Sequence, residues 1–158
     1  MAAPRADMDV DGLSAFPLFA RADRAQREAV LERVLEERFA AGARIFAEGE
    51  PGDRLYLDVE GAVRVSTQVS DGEEALAMLR PGAFFGEMSL LDDQPRSADA
   101  HAQEDSVLFS LNRGDFLELL QGDGSLAVAV LGSLARTLAI RLRETNDQVK
   151  AMHLMSMW

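Results

Sequence analysis

The chain contains no cysteine in its 158 residues. A disulfide framework, a thiolate zinc site and a cysteine-held iron–sulfur cluster are therefore excluded. Two histidines, His101 and His153, are too few for a three-histidine metal centre. Positive charge is also scarce: 16 Lys and Arg against 27 Asp and Glu leave a net charge of −11, whereas a nucleic-acid surface needs clustered basic residues. No uninterrupted apolar run is expected to reach the ~18 residues that span a bilayer. The N-terminal stretch from Met1 to Asp11 is polar and carries acidic residues, unlike a secretory leader. These absences predict a cytoplasmic protein with no nucleic-acid and no membrane partner. The nucleoside-triphosphate cradle G-x-x-x-x-G-K-[ST], the nucleophile elbow G-x-S-x-G and the zinc motif H-E-x-x-H are all missing. Asp92-Asp93 lacks the spaced carboxylates of a calcium loop. A binding role without catalysis, metal or cofactor is the expectation.

What is present suits one globular domain, with 47% hydrophobic residues. Residues 1–12 read as a loose tail. Leu13, Phe16, Leu18 and Phe19 form an apolar patch around Pro17, and Arg24 to Glu36 reads as a helix burying Ala29, Val30, Val34 and Leu35. From Arg38 to Ser110 short alternating runs are separated by glycine, the pattern of an all-β barrel or roll. Arg44 to Phe46, Arg54 to Val59, Ala62 to Thr67, Glu74 to Leu79, Arg96 to Ala102 and Val107 to Leu111 are the predicted strands. Turns fall at Gly49 to Asp53, Glu60-Gly61, Asp71-Gly72 and Pro81-Gly82. Asn112 is placed to cap a short helix over Asp115 to Gln121, Gly122-Asp123-Gly124 breaks it, and Ser125 is expected to cap a long helix reaching about Met152. Residues 13–124 thus form the expected β-roll with flanking helices, and residues 125–158 a C-terminal helical unit.

One stretch organises this layout: Phe85-Gly86-Glu87-Met88-Ser89-Leu90-Leu91-Asp92-Asp93-Gln94-Pro95-Arg96-Ser97-Ala98. Gly86 permits a positive φ and close backbone approach, and the helical turn after it offers free amides to an anion. Arg96 supplies a permanent planar cation that matches two phosphate oxygens. Glu87 cannot face a phosphate without repulsion, so a neutral sugar hydroxyl suits it. Ser97 can donate to a phosphate oxygen or to a base. A singly charged phosphate fused to a sugar fits these demands.

The run resembles the phosphate-binding cassette of the cyclic nucleotide-binding domains found in catabolite-activator-type regulators, cyclic-nucleotide-dependent kinases and gated channels. Phe85, Gly86, Glu87, Pro95, Arg96, Ser97 and Ala98 match that pattern, and Gly42, Ile45, Glu48-Gly49, Gly52-Asp53, Leu55-Tyr56, Gly61-Ala62-Val63 and Pro81-Gly82 extend the match. The resemblance implies a mainly β fold, a jelly-roll-like β-roll with an N-terminal helix and a long C-terminal helix. It implies that Glu87 takes the ribose hydroxyl, that Arg96 and Ser97 take the cyclic phosphate, and that the amides near Met88 and Ser89 assist. Arg141 to Asn146 resembles the part of the family's long helix that touches the purine, which makes Thr145 and Asn146 base contacts. Asp99 departs from the small hydroxyl residue common after the cassette; strand alternation is expected to point it away from the ligand.

Leu131, Leu134, Leu138, Leu142, Thr145, Val149 and Met152 recur at helical steps, so either the chain's own barrel or the same helix of a second copy should cover them; a parallel homodimer is expected. In activator-type regulators a DNA-reading domain follows this helix, and none is expected here because the sequence ends at Trp158. The reading is a non-enzymatic cyclic nucleotide sensor, for cyclic AMP rather than cyclic GMP, that signals to an unidentified effector protein. The alternatives are a dimerisation scaffold with a vestigial pocket and a sensor of another small anion.

Overall fold

The fold is given by a computed structural model whose description covers residues 8–158. Residues 1–7 of the expected tail lie outside the described residues, but its remainder is tied down. Met8 packs on the core, Arg27 Nε donates to Val10 O at 3.1 Å, and Gly12 N donates to Asp9 Oδ1 at 2.8 Å. Two 3₁₀ turns follow, Gly12–Ala15 and Pro17–Phe19, and they bury Leu13, Phe16, Leu18 and Phe19 completely or nearly so.

Helix α1 (Arg24–Leu31) opens on a capping box: Asp23 accepts from Gln26 N, and the Gln26 side chain accepts from Asp23 N. It ends earlier than the expected Glu36, because Leu35–Phe39 leaves the helix to form strand β1. The residues of β1 pair antiparallel with Ser106–Asn112 (β8), from Leu35 opposite Ser110 to Phe39 opposite Ser106. Tertiary pairing here outweighs the helix preference of Leu, Glu and Arg. As an outer strand of its sheet, β1 carries Glu36, Glu37 and Arg38, charges that discourage pairing with other chains.

The other strands are β2 (Arg44–Phe46), β3 (Arg54–Glu60), β4 (Val63–Val69), β5 (Gly72–Leu79), β6 (Phe84–Phe85) and β7 (Asp99–Ala102). They form two antiparallel sheets, ordered β1-β8-β3-β6 and β2-β7-β4-β5. Strand β7 begins three residues later than expected at Arg96, and the intervening residues hold the cassette.

Strand alternation divides the core. One face of the first sheet presents Leu55, Leu57, Phe84, Phe109 and Leu111 to the helices. Its other face sends Tyr56, Phe85 and Leu108 against Val63 and Ala100 of the second sheet. Within the cassette, helix α2 (Met88–Asp92) buries Ser89 and Leu90.

Helix α3 (Arg113–Gly122) is capped by Asn112, which accepts from Asp115 N at 2.8 Å. Helix α4 (Gly124–Met155) is capped by Asp123 rather than Ser125; Asp123 Oδ1 accepts from Leu126 N at 3.0 Å. Among the described residues α4 is the one helix long and apolar enough to cross a membrane by length and composition, although Ser133, Arg136 and Thr137 interrupt its apolar residues. Its first half packs on the core through Leu126, Val130 and Leu134. The expected stripe therefore splits: Leu134 belongs to the chain's own core, and Ala135 takes its place in an outward row. That row, Val128, Leu131, Ala135, Leu138, Leu142, Thr145, Val149 and Met152, alternates steps of three and four along α4. Leu142, Val149 and Met152 are more than half exposed.

Candidate functional site

The glycine corner sets the geometry of the cassette. Gly86 has φ 79°, a conformation side chains avoid. A Cβ there would also lie 2.7 Å from Arg96 Nη1, so the bare backbone is what lets the guanidinium approach. Gly52 does the same from the other side: a Cβ would meet the Ser89 side chain at 2.3 Å and Arg96 Nε at 3.0 Å.

Arg96 is held on all sides. Nη1 donates to Gly86 O and Nη2 to Arg54 O, each at 2.7 Å, and the guanidinium stands 4.2 Å from the centre of the Phe46 ring. Phe46 belongs to a cluster with Tyr56 and Phe85, the latter two stacked at 5.2 Å. Among the described residues Nε is buried without a partner, and each Nη has a second N–H beyond its carbonyl. Burial lowers the Arg96 pKa, but guanidinium is basic enough to stay charged. The result is a rigid cation with donors to spare.

Glu87 is almost fully buried, and burial pushes its carboxyl above the usual range while the Arg141 guanidinium works against that shift. Arg141 Nη1 donates to Glu87 Oε1 at 2.6 Å and Nη2 to Phe84 O at 2.8 Å, with the guanidinium 5.3 Å from the centre of the Phe84 ring. One side chain from α4 thus reaches the cassette carboxylate.

These groups line a cavity of about 400 Å³. The cassette contributes Phe85, Gly86, Glu87, Met88, Ser89, Arg96, Ser97 and Ala98, all of which the sequence singled out. Phe46, Val65 and Leu76 to Leu79 supply an apolar wall, and Arg141, Glu144, Thr145 and Gln148 of α4 close the remaining side. The Ser97 hydroxyl is exposed and meets Met88 Sδ at 3.9 Å. The first amides of α2, at Met88 and Ser89, have no intrahelical acceptor.

Thr145 lines the cavity while its hydroxyl donates to Arg141 O at 2.9 Å. Asn146 is exposed and is not among the lining residues: one residue on from Thr145, it is turned about 100° around the helix. Arg141, Glu144 and Gln148 had no role assigned from the sequence. Arg141 and Gln148 stand one helical turn either side of Thr145, and Glu144 one turn from each of them, a spacing that carries the signal that could have found them. Asp99 is buried and does not line the cavity. Its Oδ1 accepts from Glu48 N at 2.7 Å and its Oδ2 from Gln68 Nε2 at 3.2 Å, bonds that hold its pKa below the ordinary value.

Comparison with known proteins bears on the same stretch. The family described as the cyclic nucleotide-binding domain matches residues 36–123. The chain is 44% identical over 109 residues to the cyclic AMP receptor protein of Thermus thermophilus, covering 68% of this chain and 49% of that protein. It is 35% identical over 112 residues to a CRP-like cAMP-activated global transcriptional regulator of Mycobacterium tuberculosis, covering 70% of this chain and 48% of the relative. The chain therefore spans about half the length of the curated relatives it matches. Among solved structures, the N-terminal domain of a transcriptional regulator from Streptomyces coelicolor superposes with a TM-score of 0.73 at 39% identity, covering 89% of this chain and 95% of that one.

Proposed function

The chain belongs to the cyclic nucleotide-binding domain family, and on that premise we propose that it is a cytoplasmic regulatory protein that binds cyclic AMP in preference to cyclic GMP. The observation that carries this reading is that Arg96, Ser97 and Glu87 line one cavity with an apolar wall beside them. The spare N–H groups of Arg96 and the Ser97 hydroxyl receive the cyclic phosphate, in charge-assisted bonds. Glu87 accepts from the ribose hydroxyl, and the base lies toward Thr145. The preference for cyclic AMP rests on the relatives from Thermus and Mycobacterium, whose names specify that nucleotide.

Signal leaves the site through Arg141. Because this residue of α4 shares Glu87 with the ligand, occupancy and helix position are energetically coupled. A separate effector reads that position, and a second copy of the chain pairs along the outward row of α4.

Calorimetric titration of nucleotide-free protein with cyclic AMP, cyclic GMP and a cyclic dinucleotide tests the reading. Cyclic AMP should bind most tightly, and Arg96→Ala should weaken it by roughly 30- to 150-fold, the loss of about 2–3 kcal/mol of charge-assisted bonding. Unchanged affinity in that variant rejects the cassette. No heat and no thermal stabilisation with any of the three would favour a scaffold with a vestigial pocket.

A further inference from the structure

Most guanidinium groups in this acidic molecule are spoken for. Arg24, Arg27, Arg33, Arg54, Arg64, Arg113 and Arg141 face carboxylates, and Arg96 holds carbonyl oxygens. Arg21, Arg44, Arg80, Arg136 and Arg143 have no such partner among the described residues, and of these Arg21 and Arg136 come together. Among the described residues neither makes an ion pair or hydrogen bond, although acidic side chains outnumber basic ones by 27 to 16 in the chain. Both line one groove of about 230 Å³, where the segment Pro17–Arg21 meets α4.

The rest of that groove fits an anion with an organic body. Ser133 and Thr137 stand one turn apart on α4 and both line it; among the described residues their hydroxyls make no hydrogen bond, whereas Thr145 donates to its own helix. Pro17 and Ala20 supply an apolar side, and among the described residues no acidic one lines the space. Two guanidiniums and two hydroxyls are the donor set that planar, multidentate recognition of a phosphate group uses. The volume admits a phosphate and several carbon atoms but not a folded peptide segment.

We propose that this groove is a second anion site, for a small organic phosphate monoester, distinct from the cassette. By the helical repeat it lies on the face of α4 opposite the outward row, so a second copy paired along that row leaves it open. Its occupant would join the N-terminal turns to α4 just over one helical turn before Arg141, the residue that reaches Glu87. Two ligands would then act on one helix, each altering the other's affinity to the same degree.

The test is amide chemical-shift titration of the whole chain with phenyl phosphate, at ionic strength held constant with sodium chloride, beside an R21Q/R136Q variant. Both arginines are exposed, so the variant should retain the melting temperature of the parent in chloride alone. Saturable shifts at Arg21 and across Ser133 to Thr137, weakened at least about tenfold in R21Q/R136Q, are expected. Cyclic AMP titration of the same variant should leave the cassette shifts intact, which separates this site from the function proposed above. Non-saturating shifts, shifts that persist undiminished in R21Q/R136Q, or saturable shifts confined to Gly86–Ala98 would each overturn the proposal.

Discussion

On the roll-facing side of β3, two residues beyond Tyr56, Asp58 is fully buried and neither carboxylate oxygen has a hydrogen-bond partner among the described residues. Burial, with a smaller contribution from Glu104, pushes its pKa from 3.8 to about 7. An unfolded chain releases this proton near pH 4 and the folded chain keeps it until about pH 7. Between those values the unfolded state binds fewer protons, so stability falls as pH rises and levels off above pH 7. The linked penalty has an upper bound of about 4 kcal/mol. Asp58→Val should therefore raise the melting temperature more at pH 8 than at pH 5; equal gains at both would mean the carboxylate is solvated. Glu87 invites a different comparison. Glu87→Gln keeps an acceptor but loses the charge that holds Arg141, so it should weaken cyclic AMP more than its 2′-deoxy analogue in calorimetry. Equal losses would remove Glu87 from the ribose role.

Among the elements, Gln26 serves two helices at once. Its Oε1 closes the α1 capping box, while its Nε2 donates to Asp123 Oδ2 at 3.1 Å and to Ser125 Oγ at 2.7 Å at the start of α4. Gln26→Ala should cost about 1–2 kcal/mol in urea denaturation, since one truncation loosens two helix starts. An unchanged midpoint would mean that water replaces both contacts. Elements of this kind differed in how plainly the sequence announced them. The hairpins were legible because glycine marks their corners, and Gly86 fixed the cassette. Strand β1 was not, because Leu35 to Arg38 has a helix former's composition and its partner β8 lies far along the chain. Arg141 escaped for a related reason: only packing of α4 over the roll brings it to Glu87.

At the scale of the whole molecule, α4 divides its apolar residues between two faces. Leu126, Val130 and Leu134 belong to the chain's own interior, and the outward row from Val128 to Met152 waits for cover. The sequence showed the apolar repeat, but Leu134 and Ala135 adjoin in sequence, and only the packing of Leu134 decides which of them faces outward. If two copies pair along this row, Leu138→Glu places like charges at the seam and should yield a monomer by sedimentation or light scattering. An unchanged mass would mean that the row is not the seam. The same division bears on the half of α4 beyond Arg141, which has exposed side chains throughout its length. With no buried side chain of its own, its backbone amides should trade hydrogen for deuterium faster than those around Leu134 when the chain is dilute. Crowding the solution should slow that trade, while the amides around Leu134 keep a pace indifferent to concentration.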